Sequence, residues 1–325
     1  MITTTTGGKF GALRGEIKVW LRRVLCLSAV AAALAVNPVA LVQAQSMEPL
    51  SYTNSPIGLN FLIAGYAYQW GNVLVDPSLP VQNVKATVDD GFLAYSRVVD
   101  FWGQSGSFAL VMPYAWVSAS GEVFERARTV ERDGLDDLTL RVSVNLFGAP
   151  ALSLSQYPSY HQDLIVGVSL YVTAPSGQYD AAKLVNVGTN RWSFRPELGV
   201  SKRIGAWTFE GEADAEFFTD NDEYLGSHVR SQEPLYSLQG HVIYNVNPKL
   251  WLSLDGTYYT GGRTSVNGAL DNDLQSNSRW GGTAAYSVSR RNSIKLYYSN
   301  GLTARTGTEF RIVGIAWQNR WGAGL

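Results

Sequence analysis

The sequence predicts an all-β protein, a single-chain transmembrane antiparallel β-barrel of about twelve strands. Three observations carry that expectation. One alternating strand puts four acids on a single face. The N-terminus reads as an export signal. Short and long connections alternate along the chain.

The strand is Trp207 to Thr219, WTFEGEADAEFFT. Glu210, Glu212, Asp214 and Glu216 fall on every second residue, and Phe209, Gly211, Ala213, Ala215 and Phe217 fill the gaps. A period of two is a β-strand with the two sets on opposite faces. A face of four acids cannot be the inside of a soluble sandwich. Acids toward a wet lumen and apolar groups toward lipid are the pattern of a barrel strand. A soluble strand with its polar face in water gives the same alternation, so this segment alone leaves both open.

At the N-terminus, Arg14, Lys18, Arg22 and Arg23 precede an apolar run, Val24 to Val36, of 13 residues. Val42-Gln43-Ala44 is a small-x-small cleavage signal. Together these read as a signal peptide over 1–44, with a mature chain from Gln45. An uncleaved inner-membrane anchor is the competing reading, but the run is too short for a spanning helix. The lone Cys26 lies inside it, after Arg23-Val24-Leu25, which is not a lipoprotein box. The remaining chain has no cysteine, which excludes a disulfide framework and a thiolate metal site.

Residues 1–44 hold five of the 26 basic residues and one of the 27 acidic ones. The other 281 residues then carry 21 basic and 26 acidic groups, a net of −5. That balance excludes a nucleic-acid partner. The 32 glycines, 10 tryptophans and 17 tyrosines suit tight turns and aromatic girdles. No Pro- or Ser-rich linker divides the chain, so one barrel over 57–321 is expected after a short extension at 45–56.

Alternation and punctuation place strands near 57–70, 88–102, 107–117, 137–147, 162–173, 191–204, 206–219, 234–246, 249–260, 279–290, 293–304 and 307–320. In the fourth, Leu138, Leu140, Val142, Val144 and Leu146 oppose Thr139, Arg141, Ser143 and Asn145. In the fifth, Leu164, Val166, Val168, Leu170 and Val172 oppose Gly167, Ser169 and Tyr171. In the ninth, Leu250, Leu252 and Leu254 oppose Ser253, Asp255 and Thr257. The first three strands alternate less regularly. Tight turns fall at 103–106, 204–206, 245–248 and 289–292. Long polar connections fall at 71–87, 118–136, 174–190, 220–233 and 261–278. Outer-membrane barrels sort their connections in this way, short on the periplasmic side and long outside. The connection at 148–161, long for a turn, and the short one at 301–306 depart from the rule. In the last strand Val313, Ile315, Trp317 and Trp321 form the outward row that barrel insertion machinery would read, although the chain runs on to Leu325.

The polar faces supply the candidate site. Arg195 and Glu197 share a face of the sixth strand, and the next strand presents Glu210, Glu212, Asp214 and Glu216. Same-face residues on paired strands lie about 5 Å apart, so Arg195 should meet the acidic row. Arg141, His241, Asp255, Arg279 and Lys295 add lumen groups from other strands. They fit either a salt-bridge network that stiffens the barrel or a pore lining that sets selectivity. His241 shares its face with Ser237, but four residues along a strand is too far for a nucleophile and its base. No HExxH, Walker or GxSxG motif is present, and no metal or cofactor is expected. Asp133, Asp136 and Asp137 could hold calcium or simply face solvent in an outer loop. In the 174–190 loop, Asn186, Gly188 and Asn190 suit positive φ. Arg191 and Trp192 then open the sixth strand, Arg191 inward at the pore mouth and Trp192 in the aromatic belt.

Five motifs also carry a family resemblance. They are GLDDLTLRVSVNLFGAP at 134–150, PSGQYD at 175–180, VGTNRWSF at 187–194, EFFTDN at 216–221 and the pair Gly281-Gly282. Through them the chain resembles the outer-membrane transporters associated with the meta-cleavage pathway of phenol degradation, over nearly all of 50–321. The resemblance implies an outer-membrane barrel that moves aromatic or other hydrophobic compounds, with no catalytic residue to carry over. The expected partners are the lipid bilayer, the insertion machinery and a small solute. A structural or adhesive barrel and a lipid-modifying barrel enzyme are the competing functions.

Overall fold

The computed structural model describes residues 47–74, 81–123 and 126–325. The segment 1–44, expected to be an export signal, lies outside the described residues. The strands are β1 (Leu59–Leu74), β2 (Val81–Phe101), β3 (Gln104–Val123), β4 (Arg126–Leu135), β5 (Thr139–Phe147) and β6 (Leu164–Thr173). They continue with β7 (Ser193–Ile204), β8 (Trp207–Phe218), β9 (Asn221–Tyr224), β10 (His228–Gln232), β11 (Leu235–Asn247) and β12 (Leu250–Gly261). The last are β13 (Thr264–Val266), β14 (Ala269–Leu270), β15 (Gln275–Ser287), β16 (Asn292–Thr303) and β17 (Gly307–Gly322). A 3-10 turn spans Tyr157–Ser159.

Twelve strands close into one antiparallel ring, β1-β2-β3-β5-β6-β7-β8-β11-β12-β15-β16-β17, and β17 returns to β1. The seam runs from Leu59↔Gly322 to Leu74↔Gly307. Closure leaves the ring without an edge, as a sheet in hydrocarbon must be. No helix among the described residues is long and apolar enough to span a bilayer. The strand count and antiparallel closure agree with the sequence.

Two connections differ from the sequence expectation. Segments 71–87 and 118–136 are mostly strand, because β1–β2 and β3–β4 continue as hairpins past the apolar band. There the outward face meets water, so Lys85, Thr87, Ser118 and Ser120 alternate with buried Ala86, Val88, Val117 and Ala119. Polar composition made these segments read as loops. The fourth barrel strand is consequently in two parts. β5 pairs with the inner half of β3 from Gly106↔Val144 to Val111↔Thr139. β4 pairs with the outer half from Tyr114↔Leu135 to Val123↔Arg126. The connections at 220–233 and 261–278 hold a small second sheet, β14-β13-β10-β9.

Burial is inverted relative to a soluble protein. Outward Leu238 and Leu254 are each 61% exposed, while inward His241 is 2% and Asp255 3%. Lipid is the solvent that makes this arrangement stable. Paired aromatics mark both borders of the band. Tyr68 stacks on Trp70 with centroids 5.3 Å apart, and Tyr114 meets Trp116 at 4.6 Å on the long-loop side. Trp207 meets Tyr244 at 4.6 Å, and Tyr95 meets Trp321 at 6.2 Å on the short-turn side.

Candidate functional site

The lumen is the candidate site, and its two walls differ. Strands β5 to β8, β11, β12 and β15 turn polar side chains inward. Arg141 lies 3.7 Å from Glu197 and 3.8 Å from Glu48, and donates to Ser169 Oγ at 3.1 Å. The Arg141 and Arg195 guanidinium groups lie 4.9 and 4.0 Å from the Tyr171 ring centroid. Such stacking over an aromatic face favours the cations. Glu216, Asp214 and Glu197 are the carboxylates around Arg195. Farther round, His241 Nδ1 pairs with Asp255 Oδ1 at 2.8 Å, and Nε2 lies 3.7 Å from Glu212. Asp255 also accepts from Ser253 at 3.0 Å and Thr283 at 3.1 Å. Glu216 accepts from Ser193 at 2.7 Å, and Asp214 from Ser237. Arg279 donates to Ser299 Oγ at 2.9 Å and to the Phe310 carbonyl at 3.0 Å. Lys295 reaches the Tyr297 ring at 5.8 Å.

Strands β17, β1, β2 and β3 form the other wall. Ala67, Val84, Ala86, Val88, Ala115, Val117, Ala119, Phe310 and Ile312 make one buried apolar cluster. Val187, from the loop between β6 and β7, packs against it from the mouth.

The N-terminal segment enters this lumen. The Tyr52 amide donates to Glu210 Oε1 at 2.7 Å and the Leu50 amide to Glu210 Oε2 at 2.9 Å. The Tyr52 hydroxyl donates to Glu197 at 2.9 Å and lies 2.9 Å from Ser169 Oγ. Its ring fills a notch between Gly167 and Gly199, which face each other across β6 and β7. A Cβ at Gly199 would lie 1.9 Å from that ring. The 148–161 connection is longer than a turn because it anchors this segment. Pro150 O accepts from Asn54 at 3.1 Å, Leu152 O from the Ile57 amide at 2.9 Å, and Tyr157 donates to Asn54 O at 2.9 Å.

At the mouth, the loop between β6 and β7 is held by Asp137. Its carboxylate accepts from the Gly177 and Thr189 amides at 2.8 Å each and from the Thr189 hydroxyl at 2.5 Å. That accounts for the acidic GLDD motif without calcium, and among the described residues no His, Cys, Asp and Glu group is placed to hold a metal. Asn186 bonds within the loop, accepting from the Asp180 amide at 2.8 Å and donating to Lys183 O at 3.0 Å. Lys183, 3.1 Å from Asp180, holds that exposed carboxyl below its ordinary range. Asn190 has φ 54° and donates to Asn221 at 3.0 Å. Positive φ was expected at Asn186 and Gly188 as well, and neither adopts it. Asn186 acts through its side chain, and Gly188 through close packing, since a Cβ there would lie 2.7 Å from the Gly177 carbonyl carbon. Arg191 stacks 4.3 Å over Phe218 and donates to Gln232.

Every candidate lumen residue from the sequence lies on an inward face. The sequence reading missed Glu48, Tyr52, Tyr171 and the latch made by Asp137. A signal for the Tyr52 notch was present, because two inward glycines at paired positions leave a hole that something must fill.

The chain matches, over residues 68–318, the family described as "Putative MetA-pathway of phenol degradation". It belongs to that family. The fold of this phenol-degradation family member is similar to the COG4313 outer membrane channel from Pseudomonas putida F1. The two are 21% identical, the match covers 85% of this chain and 100% of the other, and the TM-score is 0.73. The transport unit of the autotransporter AIDA-I from Escherichia coli is 8% identical, with 88% and 97% coverage and a TM-score of 0.51. No curated protein matches the chain.

Proposed function

We propose that this protein is an outer-membrane channel for small molecules, and that its solutes include aromatic or other hydrophobic compounds such as the phenols for which its family is described. The observation that carries this reading is the division of the lumen. A phenol has an apolar ring and one polar group, and a path with an alanine and valine wall facing a hydrogen-bonding wall suits both. In this reading Arg141, Arg195, Glu197, Glu210, Glu212, Asp214, Glu216, His241, Asp255, Arg279 and Lys295 line the path. Asn186, Asn190 and Arg191 shape its mouth. The chain is exported, cleaved after Ala44 and inserted through recognition of its last strand. Planar-bilayer conductance, paired with flux of phenol and of a sugar of similar size into proteoliposomes, tests the reading. Discrete conductance and faster phenol flux are expected.

A second reading, a closed structural or adhesive barrel, is favoured by Tyr52, which fills the Gly167–Gly199 notch. Removal of residues 47–56 separates the two. A channel gains conductance on that deletion. A folded barrel that stays silent with and without the segment would overturn the channel reading.

A further inference from the structure

The outer wall holds a cleft that transport leaves unexplained. At one level, outward Arg311, Trp70, Thr87 and Ser118 sit side by side on β17, β1, β2 and β3. One step farther from the membrane, Glu309, Asn72, Lys85 and Ser120 repeat the order. Together they line a cavity of about 610 Å³. It opens on the outside of the barrel, because the intervening Val73, Ala86, Val88 and Ala119 are the buried, inward residues.

We propose that this cleft binds the phosphorylated headgroup of a glycolipid in the outer leaflet. Position comes first. Trp70 stacks on Tyr68 at the upper border of the apolar band, so the cleft lies at headgroup height. Chemistry follows. Lys85 and Arg311 flank β1, and neither takes part in an ion pair among the described residues. Two cations outside any ion pair, with a single carboxylate in the same cleft, attract phosphate at a lipid surface. The hydroxyls of Ser118 and Ser120 and the Asn72 amide can bond sugar hydroxyls, and the Trp70 indole offers a flat apolar face for a sugar ring. Glu309, which accepts from Asn72 at 3.4 Å, selects further. Its carboxylate weakens the hold on any phosphate but accepts from a sugar hydroxyl, so a ligand that brings both groups gains over a free phosphate ion. A phosphosugar answers all of these groups together.

The test uses the folded protein in detergent with diphosphoryl lipid A, bound lipid being counted by native mass spectrometry. The Lys85→Gln/Arg311→Gln variant is expected to lose roughly thirty-fold in affinity. Lys202→Gln/Arg203→Gln, at the periplasmic end, should bind as the parent does. Dephosphorylated lipid A should bind the parent as weakly as lipid A binds the double variant, and millimolar inorganic phosphate should not displace the lipid. Parent-level binding by the double variant would overturn the proposal. Displacement by inorganic phosphate would overturn it too, in favour of a free-anion site. Heat-modifiable gel migration checks folding. Should the double variant not fold, the single variants serve, each expected to lose roughly five-fold, and unchanged binding in both would refute the site.

Discussion

The two walls of the lumen hold their shape by different means. The wall of β5 to β8, β11 and β12 is a web of charges and hydroxyls, in which Glu197, Glu210 and Asp255 each serve more than one partner. The wall of β17, β1, β2 and β3 is mostly alanine, valine, isoleucine and phenylalanine packed on itself, with one buried polar pair, Gln69 and Asp90. The first tolerates loss of a charge, because hydroxyls and amides can re-pair. The second tolerates gain of a negative charge poorly, because its buried polar pair, Gln69 donating to Asp90, is already made and Asp90 repels a second carboxylate. A barrel interior is therefore not uniformly polar, and the same substitution has opposite meanings on its two sides.

The largest effect should come from breaking the apolar wall. Val88 is fully buried in the cluster. Val88→Asp buries a second carboxylate beside Asp90, with Gln69 as the amide donor between them, and should destabilise the barrel by about 3–5 kcal/mol. Glu212→Gln, in the charged wall, should stay within about 1 kcal/mol of the parent because it breaks no direct hydrogen bond to His241, which keeps Asp255 at 2.8 Å. Urea titration of refolding into liposomes measures both. Leu254→Arg calibrates the lipid side, where an arginine near the midplane should cost about 2–4 kcal/mol. Equal costs for Val88→Asp and Glu212→Gln would mean that the walls do not differ energetically.

The same contrast sets what was legible in the sequence. Strands with one polar and one apolar face, such as β8 and β12, could be read directly, since WTFEGEADAEFF and its neighbours alternate cleanly. β1 to β3 were less regular because they are apolar on both faces. Ala94, Val98, Ala115 and Val117 point inward, while Leu93, Tyr95, Leu110 and Trp116 point outward. Alternation vanishes when lipid and lumen ask for the same residue type. The site was half legible for a related reason. Inward charges follow from strand period alone, whereas the contacts of Tyr52 and Glu48 depend on a segment with no period, folded back over 93 to 158 residues of sequence.

A middle-sized effect should follow from refilling the notch. Gly199→Leu places side-chain atoms where the Tyr52 ring now sits, 1.9 Å from the nearest ring atom. The segment should leave its seat. Ser51→Cys, in a chain whose single native cysteine, Cys26, is replaced by serine, then reports the change by maleimide labelling, which should quicken by about ten-fold or more. Gly211→Leu is the control. That glycine points outward, its Cβ would meet nothing nearer than 3.9 Å, and labelling should not change. Equal labelling in both variants would show that the segment is not held by the notch.

The smallest effect, and the most specific to function, concerns the acidic row. Glu212→Gln with Asp214→Asn removes two charges from the charged wall while keeping side-chain shape and, at the carboxamide oxygen of the second substitution, an acceptor for Ser237. The barrel should fold, since lumen substitutions tune selectivity and lipid-face charges cost stability. In a conducting pore the reversal potential under a salt gradient should then move toward lower cation preference. The shift should be larger in dilute salt, where lumen charges are less screened. Arg195→Gln is the opposed case, because Glu216, Asp214 and Glu197 surround that cation and its loss frees negative charge. Its reversal potential should move the other way. If both variants conduct with the parent's reversal potential, the charges hold the wall together without filtering what passes. If the acid variant fails to fold while Arg195→Gln folds, the row belongs to the packing of β8 against β7 and β11, and the apolar wall would be the only side of the lumen left to select a solute.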